Sequence, residues 1–207
     1  RDIMNAWRHF KTITHHKLLV MKYCFRIGLY RQGLLHDLSK YSPTEFCVGA
    51  RYYQGIRSPN NAEREATGAS RPWMHHKGRN RHHFEYWVDY GIAPDPVLTG
   101  VPMPRKYIAE MMMDRISASK VYHPEDYDDG APWRYYAKGK EKLWFIHEDT
   151  REQMEYLLKM LAVKGEKATL WYIKNIYLKN KGRFGGDGDT YRSRPWKCPK
   201  EKAAVHA

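Results

Sequence analysis

Apolar residues recur at the spacing of an α-helix along most of this chain. The recurrence is clear in residues 3–14, 15–32, 104–121, 154–161 and 170–177. Apolar side chains three and four residues apart line one face of a helix, which then packs on a core. Runs that alternate between apolar and polar residues, as half-buried strands do, are too short to predict a sheet. The pattern therefore predicts an all-α fold.

Helix boundaries follow from glycine, proline and capping residues. Gly33 is expected to end the first long pattern, and residues 34–39 are expected to form a second, short helix. Residues 42–45 read Ser-Pro-Thr-Glu, which is a typical helix start with a serine cap, a proline in the first turn and a glutamate three residues after the cap. This helix is predicted to reach Tyr53.

Two stretches between the helices predict loops. Residues 91–104 are rich in proline, and residues 122–137 contain several acidic side chains. The helices together occupy residues 1–180, and 42% hydrophobic content in a chain of 207 residues suffices for one domain with a real core. Residues 181–207 are basic and rich in glycine, and they predict a peripheral tail.

The formal net charge of the chain is +13. A basic surface attracts polyanions, so the expected partner is a phosphorylated small molecule, a nucleotide or a nucleic acid. No apolar run approaches the roughly 20 residues of a membrane span, so no membrane partner is expected. Cys24, Cys47 and Cys198 are odd in number and far apart, which indicates reduced thiols and a cytoplasmic protein.

A histidine and an aspartate stand side by side at His36 and Asp37. Adjacent residues of a regular helix diverge by about 100°, so both side chains reach one metal only where the helix ends or bends. His16 lies upstream, with His15 competing for the same role, and Asp114 interrupts a methionine-rich helix in which a bare buried carboxylate is costly. We predict that His16, His36, Asp37 and Asp114 hold one metal, because imidazole nitrogen and carboxylate oxygen suit Zn, Mn, Fe, Co and Ni.

Four more histidines fall between residues 75 and 83. His76 and His83 are predicted either to hold a second metal or to bind phosphate beside one metal. His75 and His82 are the alternatives, since the sequence does not distinguish between neighbours. A further alternative is a surface cluster of histidine and arginine with no ligand.

Two charged positions near these residues have both functional and structural interpretations. Lys40 lies one turn beyond Asp37 and is expected to reach a phosphate as a point charge, although a lysine at a helix end is also favoured by the helix dipole. Glu45 is either a residue that supports the metal ligands from behind or a capping residue, and its capping position already explains it. His147 precedes the helix at 154–161 and is either a cap or a site residue.

The strings HDLSKYSPTEF and HHKGRNRHHFEYW, together with His16 and Asp114, resemble the HD superfamily of metal-dependent phosphohydrolases. The superfamily has a helix histidine, an adjacent His-Asp pair and a distal aspartate, in that order. The chain looks like an uncharacterised HD-like family that is frequent in phages and bacteria, and the resemblance covers roughly residues 9–180. It implies an HD-domain-like helical bundle, located in the host cytoplasm if the protein is phage-encoded.

The resulting functional prediction is a metal-dependent hydrolase that cleaves a nucleotide or a small phosphoester through a metal-activated water. One or two divalent metals per chain are expected (Mn, Fe, Co, Ni, Zn or Mg), with Lys40, His76 and His83 as catalytic residues. The first alternative is a di-iron HD-type oxygenase on the same scaffold. The second is a non-enzymatic, basic nucleic-acid-binding protein.

Overall fold

Helices dominate the computed structural model, which describes residues 2–91 and 98–180. The α-helices within these ranges are α1 (Asp2–Arg26), α2 (Tyr30–Leu35), α3 (Pro43–Arg51), α4 (Pro59–Thr67), α5 (Arg71–Lys77), α6 (Arg105–Tyr122), α7 (Ala131–Ala137) and α8 (Glu148–Tyr172). Short 3-10 helices occupy Leu38–Tyr41, Phe84–Tyr86 and Lys140–Leu143, and a π-helix at Ile173–Tyr177 follows α8. The predicted all-α class is confirmed.

Within the described ranges, the β-structure consists of two strands of three residues each. Strand β1 (Val88–Tyr90) pairs antiparallel with β2 (Leu98–Gly100), with Asp89 opposite Thr99. Strand β2 lies in the stretch that the prolines predicted as a loop, of which residues 92–97 are outside the described residues. The predicted tail at 181–207 also lies outside them.

The core is built around α6, which packs against α1, α7 and α8. Ile108, Met112 and Ile116 follow one another at intervals of four residues and are fully buried. Burial of each such side chain stabilises the fold by about 1.5–3 kcal/mol. Because α1 also contacts α2 and α3, it connects the core to the segment that carries the His-Asp pair.

The N-terminal boundaries differ from the prediction. One helix spans Asp2–Arg26, and the chain breaks at Gly28, whose φ of 86° favours glycine. Gly33, predicted as the break, lies inside α2, where a Cβ atom would come within 2.9 Å of the Cys24 Cβ. The glycine is needed there for close packing of α2 on α1. The predicted helix at 34–39 is also wrong, because α2 ends before the His-Asp pair.

Proline and capping residues explain the later boundaries. The predicted start of α3 is confirmed, with Ser42 as the cap and Pro43 in the first turn, although the helix ends two residues before Tyr53. Helix α7 contradicts the loop predicted at 122–137, and Pro132 in its first turn is the signal that could have revealed it. The two patterns predicted at 154–161 and 170–177 are separated by a kink at Gly165.

Three remaining expectations concern single residues and the membrane. The Nδ1 atom of His147 accepts a hydrogen bond from Asp149 N at 3.2 Å, so this histidine caps α8. Cys24 is buried and Cys47 is exposed, both as free thiols, and Cys198 lies outside the described residues. Within the described ranges, none of the helices combines the length and apolar character that a membrane crossing requires.

Candidate metal centre

The junction between α2 and the following 3-10 helix places His36 and Asp37 side by side. Asp37 has left-handed backbone angles (φ 53°, ψ 23°), which are uncommon outside glycine and cluster at functional sites. Lys17 of α1 donates hydrogen bonds to the carbonyl oxygens of Leu34 (2.7 Å) and His36 (3.0 Å), which fixes the end of α2. With the helix ended, His36 Nε2 lies 3.3 Å from Asp37 Oδ2.

The four predicted ligands of one metal converge at this junction. His16 Nε2, from α1, lies 2.9 Å from Asp114 Oδ1, from α6, and 3.9 Å from Asp37 Oδ2. His36 Nε2 lies 3.9 Å from the same Asp114 oxygen. His16 is buried whereas His15 is exposed, so the fold decides between these neighbours.

The histidine cluster meets the other face of Asp37. His76 Nε2 and His82 Nε2 lie 3.3 Å and 3.4 Å from Asp37 Oδ1, and His82 Nε2 lies 3.7 Å from Asp114 Oδ2. His83 Nε2 lies 2.9 Å from His76 Nε2. Helix α5 ends at Lys77, so His82 and His83 are not part of a helix. Adjacent side chains can then point in similar directions, and both histidines face the site.

His75 and His82, the two alternatives left open by the sequence, have different positions. The Nδ1 atom of His75 lies 2.6 Å from Glu45 Oε1, whereas His76 contacts the other oxygen of that carboxylate. His82 is 1% exposed and contacts both Asp37 and Asp114. His82 therefore joins His76 and His83 at the site, and His75 does not.

Two glutamates orient the histidine rings from behind. Glu110 Oε1 accepts from Nδ1 of His36 (3.0 Å) and lies 3.2 Å from Nδ1 of His82. Glu45 Oε2 accepts from Nδ1 of His76 at 2.8 Å. Each of these rings thus presents its Nε2 atom inward, which is the usual arrangement of histidines that bind metals.

Several of these inward atoms have no hydrogen-bond partner among the described residues. They are the buried His36 Nε2, His82 Nε2 and Asp37 Oδ1 atoms and both ring nitrogens of His16. A buried polar atom left without a partner costs about 1–3 kcal/mol. A cation bound between them would satisfy one nitrogen of each ring together with the Asp37 oxygen, so the donor set fits a metal.

The electrostatics favour positive charge at the same point. Burial alone would lower the pKa of His82, but its contacts with Asp37 and Glu110 raise that pKa to about 10. Burial would raise the pKa of Asp37, yet the charges of His36 and Lys40 hold it well below its ordinary value. A buried group of carboxylates is stabilised by a positive charge among them, whether protons or a metal supply it.

Asp37 is shared by the two halves of the cluster. Its Oδ2 atom faces His16 and His36, and its Oδ1 atom faces His76 and His82. Potential donor atoms lie within 4.8 Å of one another in three groups, which are His16, His36 and Asp37; His36, His82 and Asp114; and Asp37, His76, His82 and His83. Nitrogen and oxygen ligands bind Zn²⁺ at about 2.0–2.2 Å, so the donor atoms of one group can share one cation. The two oxygens of Asp37 belong to different groups, so this carboxylate can bridge two cations.

Sequence reasoning missed Glu110 and preferred capping to site support for Glu45. Glu45 was explained as a capping residue, but no side-chain cap bond is found at Ser42 and the carboxylate serves the histidines instead. Glu110 lies one helical turn before Asp114 on α6. Two carboxylates one turn apart, with three methionines between them, share a helix face, and that spacing was an available signal.

A family profile matches residues 5–160, described as a family of unknown function (DUF5662). The chain belongs to the DUF5662 family. All of the metal-ligand candidates and both glutamates lie within the matched part of this DUF5662 protein, as do helices α2 to α7, most of α1 and the start of α8. No curated protein and no solved structure was similar enough to match.

Replacing Glu45 with glutamine is expected to lower metal affinity about 10–100-fold. The amide has no negative charge and a single acceptor, so it cannot hold His75 and His76 at once as Glu45 does. Metal titration followed by elemental analysis measures the change. Glu152→Gln, at an exposed position of α8, is the matched control and keeps wild-type affinity. Equal affinity in both variants would show that Glu45 has no function in orienting His76.

Proposed function

We propose that this protein is a metal-dependent phosphohydrolase of the HD superfamily, acting on a nucleotide or a small phosphoester. One observation carries the proposal, which is the convergence of His16, the His36–Asp37 pair and Asp114 from separate elements onto one buried point. The order of these residues along the chain is that of the superfamily motif. The basic charge of the chain supports an anionic substrate.

A divalent cation held by His16, His36, Asp37 and Asp114 supplies Lewis acidity for the phosphoryl group and for a water molecule. The protein holds these ligands rigidly, because Glu110 fixes the His36 ring and Lys17 fixes the end of α2. Rigid donors need little reorganisation when negative charge develops during the reaction.

Lys40 supplies a positive charge beside the ligands. Its Nζ atom lies 2.6 Å from Asp37 Oδ2, and the lysine remains partly exposed. Burial opposes the charged form, but the carboxylates of Asp37 and Asp114 raise the pKa of Lys40, so the ammonium group persists at neutral pH. A phosphate at the centre would therefore meet both the cation and a fixed ammonium group.

His83 has an imidazole ring that can act on a water molecule at the centre. Burial and the neighbouring His82 and His76 hold its pKa well below the ordinary value, so its ring is neutral. Its Nε2 atom lies 2.9 Å from His76 Nε2, and the residue is only half-buried, which leaves it a path to solvent. A neutral imidazole at this position can accept a hydrogen bond from an attacking water and so orient it, whereas its low pKa makes it a weak base.

The proposal is tested by elemental analysis of the purified chain and by phosphate release from a panel of nucleotides and small phosphoesters. We expect one or two equivalents of metal per chain and metal-dependent release from at least one class of compound. Metal-free protein, or metal-loaded protein with no release from any compound, would refute the hydrolase assignment.

The shared position of Asp37 favours one alternative, a di-iron oxygenase. A carboxylate that faces three or more histidines on two sides suits two irons as well as two redox-inactive metals. Two irons per chain and substrate-dependent consumption of O₂ would support this alternative. A chain without metal that binds nucleic acid in a salt-sensitive manner would instead support a binding protein.

Replacing Lys40 with alanine is expected to raise KM for the phosphoester about 10- to 100-fold, since hydrogen bonds to charged groups contribute about 1.5–3 kcal/mol. Metal content should stay at the wild-type level, because Lys40 is not a metal-ligand candidate. Lys22→Ala, at an exposed position on α1, is the matched control and keeps the wild-type KM. Loss of metal from Lys40→Ala would show that the lysine stabilises the centre rather than the substrate.

A further inference from the structure

A cavity of about 260 Å³ lies between α6 and the segments around Arg57 and Tyr135. Four of its lining residues are on α6, and their spacing places them on one face of the helix: Arg115, Ala118, Ser119 and Tyr122. The first of them directly follows Asp114. The face that lines the cavity is therefore adjacent to the face that carries a metal-ligand candidate.

Tyr122 connects the cavity to the centre electrostatically. Burial raises the pKa of Tyr122, the charge of Lys40 lowers it and the charge of Asp114 raises it. Asp114 also lies one helical turn before Ala118 on α6, so the cavity wall continues toward this metal-ligand candidate. A ligand in the cavity thus lies close to the residues that would hold a substrate phosphate.

Arg115 is the unusual member of the lining. Its guanidinium carbon lies 5.6 Å from the ring centroid of Phe84 and 5.5 Å from that of Tyr136. Its Nε atom is buried without a hydrogen-bond partner, and among the described residues no carboxylate forms an ion pair with this arginine. A guanidinium held by aromatic rings with its donors unused is suited to bidentate binding of a carboxylate or phosphate.

The second arginine of the lining is already neutralised. Arg57 donates two hydrogen bonds of 2.7 Å to the carboxylate of Glu65 and one of 2.8 Å to Gln54 Oε1. Its capacity for a further anion is small in comparison with that of Arg115. The remaining wall is largely apolar or aromatic, with Ile56, Pro132 and Tyr135, and suits a flat ring.

We propose that this cavity receives the non-reacting end of the substrate, and that Arg115 binds an oxyanionic group carried there on or beside a ring. The substrate class is then a phosphoester with a second anionic group, either a carboxylate or a phosphate. The link between the two ends rests on the proposed function, whereas the anion site at Arg115 stands independently of it.

Calorimetric titration of the purified full chain with benzoate and with benzamide tests the anion site. The two probes share a ring and nearly the same size, and only benzoate is charged. We expect benzoate to bind at least about tenfold more tightly, since hydrogen bonds between ions contribute more than those between neutral groups. Equal binding of the two probes, or no binding of either, would overturn the proposal.

Variants of the two arginines test whether Arg115 causes the preference for benzoate over benzamide. Arg115→Met should abolish the preference for benzoate and Arg115→Lys should retain part of it, while Arg57→Met should keep it in full. Ala118→Phe fills the cavity without altering either arginine, and it should weaken both probes. Thermal unfolding of each variant establishes that it is folded. A preference that survives Arg115→Met, or that disappears in Arg57→Met, would refute the assignment to Arg115.

Hydrolysis separates this inference from the proposed function. With 4-carboxyphenyl phosphate and phenyl phosphate as matched substrates, the carboxylate should lower KM in the wild type and not in Arg115→Met. If neither compound nor any other phosphoester is hydrolysed while benzoate binding still depends on Arg115, the hydrolase proposal fails and the anion site stands. If both compounds are hydrolysed with equal KM, the cavity does not receive the substrate.

Discussion

Asp37→Asn is expected to reduce the metal content of the purified protein to less than about a tenth of the wild-type value, and to abolish activity with it. The Asp37 carboxylate faces Nε2 atoms on both sides, with His36 at 3.3 Å from one oxygen and His76 and His82 at 3.3 and 3.4 Å from the other. An amide keeps the shape but removes the charge and turns one acceptor into a donor. A donor that points at a cation is repulsive, so the loss affects both halves of the cluster.

Elemental analysis after gel filtration, together with phosphate release, measures this effect. Asp126→Asn makes the same chemical change at an exposed position between α6 and α7, and it should retain both metal and activity. Both substitutions replace an aspartate with an asparagine, and only the surroundings of the two residues differ. A difference between the two variants in metal content or activity is therefore due to the position of Asp37. An Asp37→Asn protein with full metal content would remove the basis for a centre organised around that carboxylate.

The helical class was predictable because local periodicity is enough to recognise an amphipathic helix. Ile108, Met112 and Ile116 repeat at four-residue intervals whatever the rest of the chain does, and α6 follows from them. The extent of α2 was not predictable in the same way. Gly33 is permitted inside that helix because α2 packs closely on Cys24 of α1, which is a tertiary contact. Glycine marks a break and a close approach equally well, and only the packing distinguishes the two.

The candidate site was predictable to the level of residue type and order. The prediction that His36 and Asp37 share a site only where a helix ends is consistent with the end of α2 and the left-handed conformation of Asp37. The choice between His82 and His83 was not predictable, because their orientation depends on where the preceding helix ends, and α5 ends at Lys77. Outside a helix, adjacent side chains can converge, and both histidines face the site.

Glu110 illustrates why supporting residues are harder to find than ligands. It bonds His36, which precedes it by 74 residues, and also lies 3.2 Å from His82. Nothing in the local sequence around Glu110 distinguishes a glutamate that orients two histidines from one at the surface, except its position one turn from Asp114. Metal-ligand candidates are recognisable by chemistry, whereas their supporting partners are defined by the fold.

Removing the metal is expected to make the stability of the protein depend on pH in the range of about 6.5 to 10. In metal-free protein the pKa of His82 is raised from 6.5 to about 10, and those of His36 and His76 are also raised. In each case burial opposes the charged ring, and Asp37 is prominent among the carboxylates that overcome it. A group whose folded pKa exceeds its unfolded pKa stabilises the fold fully below the unfolded value, and this contribution is lost as pH rises through the folded value.

The metal-loaded protein should not show this loss, because a cation replaces the protons and its ligands are neutral imidazoles and carboxylates. Thermal unfolding of chelator-treated and metal-reloaded protein at about pH 6 and about pH 9 compares the two forms. The difference in Tm between them should be at least about 5 °C larger at the higher pH, since a loss of 1 kcal/mol lowers Tm by about 2–4 °C in a chain of this size. His82→Gln should reduce this change, and His15→Gln, at an exposed position, should not.

Comparison of two forms of one chain gives this experiment its specificity. Every lysine, tyrosine and cysteine remote from the centre titrates alike with and without metal, so its contribution cancels in the difference. The depressed pKa values of Asp37 and Asp114 act at lower pH, because a carboxylate of this kind loses its stabilising contribution only as pH falls through the folded value. A difference that stays constant or narrows between about pH 6 and pH 9 would mean that protons and metal do not compete for the same buried nitrogens. The histidine cluster would then be a structural network rather than a metal centre.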